Sequence, residues 1–551
     1  MDSPTTTPVA IVGGGPVGLL LALLLDQQGV RSTVFNTAGT VPDQPRGSTH
    51  NARTMELYRR LGLSERVRGL GLPADHSAGI SFFTRYSGAE LAILPWPGPA
   101  ETARLVSAAD RADQVPEPLH RANQMYVERL LLDHARTRPR IDLRFGWQVG
   151  ELSADAEGVS LTARHEDTSH RWTAAYAVGC DGGRSLVRRT LGIRYQGEGG
   201  LQQDVLGSRS IAAHLRIPRL SSDFLRGRRA WSNWAVNADL ALNLIALDGG
   251  TEFFLLTSSL DPGTAGPDDI AWLVQRAAGA PLEVEVLSHR PWAAGAALVA
   301  ERFAAGRMLL AGDAAHLFTP NGGFGMNTGV EDAANLAWKL AGAVQGWAGP
   351  RLLDSYEAER RPVALRNTRA ARELGKGLGA IRRPAHLEED SERGAAARQR
   401  LGQELAEYGQ LTLDTLGVQL GARYDGSPVV DAGQDGPPGD SFTSYTPSGT
   451  PGGRAPHVWL DEVHGPGSSL FDQFGTGFTL LDLGGSDESR SLAEAAHRRR
   501  IPLKVLHTVD QTVRKLYEAE LVLIRPDQYI AWRGGQAPDA PAALLERVTG
   551  H

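Results

Sequence analysis

The 551-residue sequence predicts an α/β protein built on a Rossmann-like nucleotide-binding domain. Three observations predict it. Val9–Val12 is a short apolar run that passes directly into a glycine turn, a helical pattern and a second apolar run. Two later apolar runs, one ending at Gly179 and one spanning Arg307–Ala311, also enter glycine-rich turns. The stretches between them, about 76–115 and 194–295, alternate apolar and polar residues, as half-buried strands do.

The first element is Val9–Val12, uniformly apolar as befits a parallel strand buried on both faces. Gly13-x-Gly15-x-x-Gly18 follows, with Pro16 and Val17 inside the motif, then a helix over Leu19–Gln28 and a strand over Arg31–Phe35. Gly13 permits the turn, Gly15 admits a pyrophosphate close to the backbone, and Gly18 lets helix and strand approach. The helix N-terminus offers unpaired amides and partial positive charge to phosphates. The competing explanation is a glycine turn in an ordinary βαβ unit. The acidic residue expected at the end of the second strand is absent: Asn36 stands there, able to accept a hydrogen bond but without the charge.

Composition excludes several classes. The chain is 41% hydrophobic and 22% charged, ordinary for globular proteins. Its 57 basic and 63 acidic residues give a net charge of −6, which argues against a nucleic-acid binder driven by overall charge. Cys180 is the one cysteine, so no internal disulfide or cysteine-rich zinc site forms, no metal is expected, and a reducing cytoplasm fits. The N-terminal MDSPTTTP lacks the basic residues of a secretory leader. The apolar stretch Val9–Leu25 is broken by four glycines and a proline, so it is no membrane span.

Residues 179–188 read GCDGGRSLVR and residues 309–332 read LLAGDAAHLFTPNGGFGMNTGVED. With the first glycine signal, in this order and at these separations, they make the chain resemble the FAD-dependent aromatic hydroxylases. These are single-component flavoprotein monooxygenases of the p-hydroxybenzoate and phenol hydroxylase type. The resemblance implies FAD as cofactor, NADPH or NADH as co-substrate, and O2. It assigns Asp181 and Gly182 to a motif between flavin and nicotinamide sites; the bland alternative is an aspartate capping the helix at 184–191. It assigns Gly312 and Asp313 to the ribityl contact, a task suited to an acceptor-only carboxylate. His316 is more simply a structural histidine.

Pro320 to Asn327, including Gly323, Gly325 and Met326, resembles the loop beside the flavin ring. The helical spacing of Val330, Ala333, Ala337, Leu340, Ala341 and Val344 predicts a helix over Thr328–Val344 with its N-terminus toward that ring. Arg46 matches a residue contacting FAD, and Arg121 and Gln124 match residues touching the cofactor. Without the family, both arginines would be read as solvated surface charges. No residue is identified as a catalytic base.

The implied organisation is a discontinuous FAD-binding domain (1–75, 116–193 and 296–395) with an inserted antiparallel-sheet substrate domain (76–115 and 194–295). A helix and linker (396–452), rich in Gly, Pro, Ser and Asp from about 425, precede a thioredoxin-like C-terminal domain (453–551). That domain has no cysteine, so its expected job is structural or an oligomer contact, with a homodimer considered. Because the cofactor motifs lie upstream, truncation before about residue 430 is expected to spare FAD binding.

The family resemblance implies hydroxylation of a small phenolic or polycyclic aromatic substrate through a flavin C4a-hydroperoxide, away from nucleic acid and membranes. Baeyer–Villiger oxidation, epoxidation and removal of nitro or halogen groups on the same fold stay open. So do, at lower rank, a flavin-binding shield protein and a dehydrogenase or oxidase.

Overall fold

A computed structural model describes residues 4–199, 209–292, 296–433, 436–460, 468–485 and 488–551. Its central sheet follows from the apolar runs. Thr5–Val12 lies between Thr168–Gly179 and Ser32–Asn36, parallel to both. Ile141–Phe145 and Met308–Leu310 extend the sheet on either side, again parallel. Helix Pro16–Gln27 begins ahead of the expected Leu19, because proline's fixed φ suits the first turn of a helix. Phe324–Gln345 likewise starts four residues before the expected Thr328, with Gly323 in the left-handed region as its N-cap. The two helices touch where a Cβ on Gly329 would stand 2.7 Å from Val17, so only glycine fits.

The second sheet has seven strands, in the order Glu285–Trp292, Ser210–Arg216, Glu252–Thr257, Ala241–Ala246, Ser232–Val236, Ile80–Phe83 and Glu90–Leu94. It is antiparallel apart from one pair: Ile80–Phe83 runs parallel to Ser232–Val236. A parallel pair needs a long crossover, here the part of the nucleotide domain between them in the chain. Phe253 and Leu255 on one face pack with Ile270 and Val274 of helix Pro267–Ala278. On the other face Trp234, Ile245 and Phe254 share a core with Leu378, Leu401 and Leu405 of helices Arg351–Ala380 and Glu392–Leu413.

The C-terminal sheet runs Leu503–His507, Phe478–Asp482, Leu521–Ile524, Ile530–Gly534, with the first pair parallel and the others antiparallel. With helices Ser489–Arg498, Gln511–Tyr517 and Pro541–Thr549, it forms the thioredoxin-like arrangement that the resemblance implies. Ile530–Gly534 is an additional strand that the sequence pattern did not mark.

Buried charges bind this unit to the nucleotide domain. Arg53 donates to Gln528 Oε1 (2.7 Å) and to the Asp527 carbonyl (2.6 Å), and shares Glu56 with Arg454. Glu359 accepts from Arg525 (2.7 and 2.9 Å), Lys339 (2.6 Å) and Asn335 (2.6 Å). Burial alone would raise the Glu359 pKa, but Arg525 and Lys339 outweigh it and hold the carboxyl far below its usual range. Burial pulls Lys339 down to about 8 despite Glu359. These bonds bear on the expectation about truncation: a cut near 430 would take Gln528 and Asp527 from Arg53 and Arg525 from Glu359.

Candidate cofactor and active site

Close approaches bring the three glycine signals together. Gly13 has φ 114°, and a Cβ there would lie 2.2 Å from the Cys180 carbonyl, so the first signal rests on the second. A Cβ on Gly18 would meet the Gly13 carbonyl at 2.0 Å, whereas one on Gly15 would meet nothing within 4 Å. The turn is closed toward the sheet and open at Gly15. Helix Pro16–Gln27 has no side-chain cap and no acidic residue in its first turn. Pro16 has no N–H, and the Val17 and Gly18 amides lie in the first turn, without intrahelical acceptors. Asn36 Oδ1 accepts from Gly14 N at 3.1 Å and its Nδ2 donates to the Ala38 carbonyl at 2.9 Å, so the side chain braces the turn.

The second signal does what a capping aspartate does. Asp181 Oδ2 accepts from Leu186 N (2.6 Å) at the start of helix Leu186–Thr190, and Gly182 turns at φ 79°. Asp181 Oδ1 is buried without a partner, and burial raises the carboxyl pKa against the backbone donors.

Asp313 follows strand Met308–Leu310. Gly312 (φ 61°) sits against Val17, which places Asp313 beside the first turn. Its backbone carbonyl accepts from Tyr195 Oη at 2.5 Å. Its carboxylate remains exposed within the fold and receives no hydrogen bond from the described residues. Crowding by protein raises its pKa, against the pull of His316 and Arg46. His316 is fully buried and bonded to Asp332 at 2.6 Å, a structural role.

The 320–327 segment is held from beneath. Gly322 and Gly323 both take positive φ (77° and 67°), and a Cβ on Gly323 would press on Thr49 at 2.8 Å. Pro320 caps the short turn Asn321–Gly323, and Asn321 Nδ2 reaches Tyr408 Oη at 3.1 Å. Gly325 lies over the Phe318 ring and Met326 is half-buried. Asn327 Oδ1 accepts from Asn51 N (3.0 Å), and its Nδ2 donates to the Thr49 (2.9 Å) and Gly323 (2.6 Å) carbonyls. Its side chain is therefore committed to the protein, leaving its backbone for a ligand. Helix Phe324–Gln345 likewise has no side-chain cap on its first-turn amides.

Arg46, Arg121 and Gln124 meet around a residue to which the sequence reading gave no role. Asn123 accepts from Arg46 N (3.2 Å) and Met125 N (3.2 Å), and donates to the Arg46 carbonyl and Ser48 Oγ. Its position just before helix Gln124–Arg136 is the signal that could have identified this N-cap. Gln124 is bonded to Glu128. The Arg46 side chain is exposed. Arg121 is no solvated charge: it is buried, bonded to Thr49 Oγ1, and stacked 3.7 Å from the ring centre of Trp231, which directly precedes strand Ser232–Val236 of the seven-stranded sheet. Burial lowers its pKa to about 9, and no carboxylate among the described residues pairs with it.

These groups suit FAD. Two uncapped helix N-termini and an unpaired buried guanidinium favour negative charge, on a pyrophosphate and on a reduced ring. The Asp313 carboxylate is free to accept from hydroxyls, and Gly15 leaves the close approach open. Among the described residues no cluster of His, Cys, Asp or Glu could hold a metal ion, and no helix is long and apolar enough to cross a membrane.

Comparison with known proteins accords with this arrangement. Residues 6–371 match the family model described as FAD binding domain, and residues 448–551 match that described as aromatic-ring hydroxylase, C-terminal. A FAD-dependent monooxygenase of Emericella nidulans is 33% identical, covering 96% of this chain and 87% of its own. The tetracenomycin B2 monooxygenase-dioxygenase of Streptomyces olivaceus is 33% identical, covering 98% and 96%. Among solved structures, the rebeccamycin biosynthetic enzyme RebC with reduced flavin superposes over all of both chains, with a TM-score of 0.88 and 33% identity.

Proposed function

This chain belongs to the FAD-dependent aromatic-ring hydroxylases, and we propose that it inserts one atom of O2 into a phenolic or polycyclic aromatic substrate at the expense of NADPH or NADH. One observation supports the proposal: a chain of close contacts links the groups, with Gly312 before Asp313 against Val17 of the glycine turn, and Gly323 at the start of Phe324–Gln345 against Thr49, which Arg121 bonds. FAD, when bound, supplies hydride acceptance and oxygen activation.

The protein's part is binding, orientation and exclusion of water. The Val17 and Gly18 amides receive the pyrophosphate, with Gly15 admitting it. Asp313 would accept from the ribityl hydroxyls. The amides opening helix Phe324–Gln345 favour the negative charge that a reduced ring carries. Trp231 packed on Arg121 would shield that side of the cleft from water. The names of relatives, among them a polyketide hydroxylase and a dichlorophenol monooxygenase, support an aromatic substrate bearing a phenolic oxygen.

The test is anaerobic reduction of the yellow protein by NADPH and by NADH across a panel of phenols and polycyclic quinols. Strong acceleration of flavin reduction by one aromatic compound, followed on admission of oxygen by a product heavier by one oxygen atom, is the expected result. Failure of both nicotinamides to reduce the flavin under every condition overturns the proposal.

A further inference from the structure

Asp313 has no side-chain bond of its own, so its direction depends on the backbone that carries it. That backbone is held by a residue on another element. Asp332, on helix Phe324–Gln345, accepts through one oxygen, Oδ2, from Gly312 N (3.1 Å) and from His316 Nε2 (2.6 Å). Gly312 and His316 flank Asp313 in the chain, and both bonds converge on one atom. The other oxygen, Oδ1, accepts from Arg360 Nε (2.8 Å), and Arg360 also donates to the Thr328 carbonyl (3.1 Å) and to Glu331 (3.2 Å). The side chains of Asp332, His316 and Arg360 are fully buried.

We infer that Asp332 is a positioning residue for the cofactor contact: from the neighbouring helix it sets the turn that aims Asp313 into the cleft, with Arg360 as its anchor. The same carboxylate lies on the helix whose N-terminus faces the cofactor, so it ties the ribityl end of the site to the ring end. A charged carboxylate suits the task, because it accepts from three donors that would otherwise be buried unpaired. The inference rests on Asp313 holding FAD, and the test separates the two.

The test is a double-mutant cycle on FAD affinity, read by titrating apoprotein with FAD and following flavin fluorescence. Asp332→Asn and Asp313→Asn are each expected to raise the FAD Kd about tenfold, as loss of a hydrogen bond to a charged group does. If Asp332 acts through Asp313, the double variant is no weaker than the worse single variant. Multiplication to about a hundredfold means independent effects and overturns the proposal, as does an unchanged Kd in Asp332→Asn. Should Asp332→Asn fail to fold, His316→Phe removes one tether and leaves the Arg360 pair; it enters the same cycle. His316→Gln, which keeps an N–H donor, is expected to restore affinity relative to His316→Phe; equal weakening in both speaks for general damage and overturns the assignment. An unchanged Kd in Asp313→Asn alone overturns the cofactor assignment beneath it and the proposal with it.

Discussion

Arg121 brings a charge into the interior with a hydroxyl and an indole face as its partners. A buried cation without a counter-ion costs stability, so its removal should cost little in the apoprotein and much in the complex. Arg121→Ala is expected to leave the apoprotein melting temperature unchanged or raised while the FAD Kd rises about tenfold, measured by calorimetry and flavin titration. Three histidines set the response to acid. Burial lowers His50 to about 3 and His120 and His457 to about 4. Each stays neutral in the folded protein and takes a proton near pH 6.5 once unfolded. The unfolded chain therefore binds more protons between these values, and stability falls as pH drops from about 6.5 toward about 4. The loss is on the order of 3 kcal/mol per histidine at the low end. Urea midpoints flat across that window would refute the prediction.

At the scale of elements, the glycine signals were legible because they solve local problems: φ 114° at Gly13 and φ 67° at Gly323 are conformations that side chains rarely adopt. Gly323→Ala adds strain and a contact with Thr49, and is expected to cost about 1–3 kcal/mol and to weaken FAD retention, visible in thermal melts and spectra of the purified protein. The start of helix Phe324–Gln345 was misplaced because a run of glycines looks like loop, although it ends in an N-cap. Only the family resemblance set Arg121 apart from the solvated arginines; composition and spacing alone pointed to solvent, and the structure buries it. Asn123 carried a local signal, its place just before a helix, that went unused, whereas the bonds of Asp332 and of the Asn327 side chain had no local signal. Asn327 and Asn51 are 276 residues apart, and no periodicity marks a bond between them.

For the whole molecule, the C-terminal unit is part of what holds the cofactor domain together. Arg525→Ala leaves Glu359 with Lys339 and Asn335 in a site built for one more cation, and should cost about 3–5 kcal/mol. A chain ending at residue 430 is expected to be insoluble or unable to retain FAD; a soluble, yellow truncation product would refute this. The domain order gave no hint of such dependence, because the sequence motifs for FAD all lie upstream of the linker.

The bond from Arg53 to Gln528 has a consequence for how the protein is made. These residues stand 475 positions apart. At about 5–20 residues per second, the first half of that contact waits roughly 24–95 s for the second to leave the ribosome. Throughout that interval Arg53 has Glu56 beside it but lacks Gln528 and Asp527. Loading of the flavin is then expected to follow synthesis, and a nascent chain stalled before residue 525 should emerge colourless.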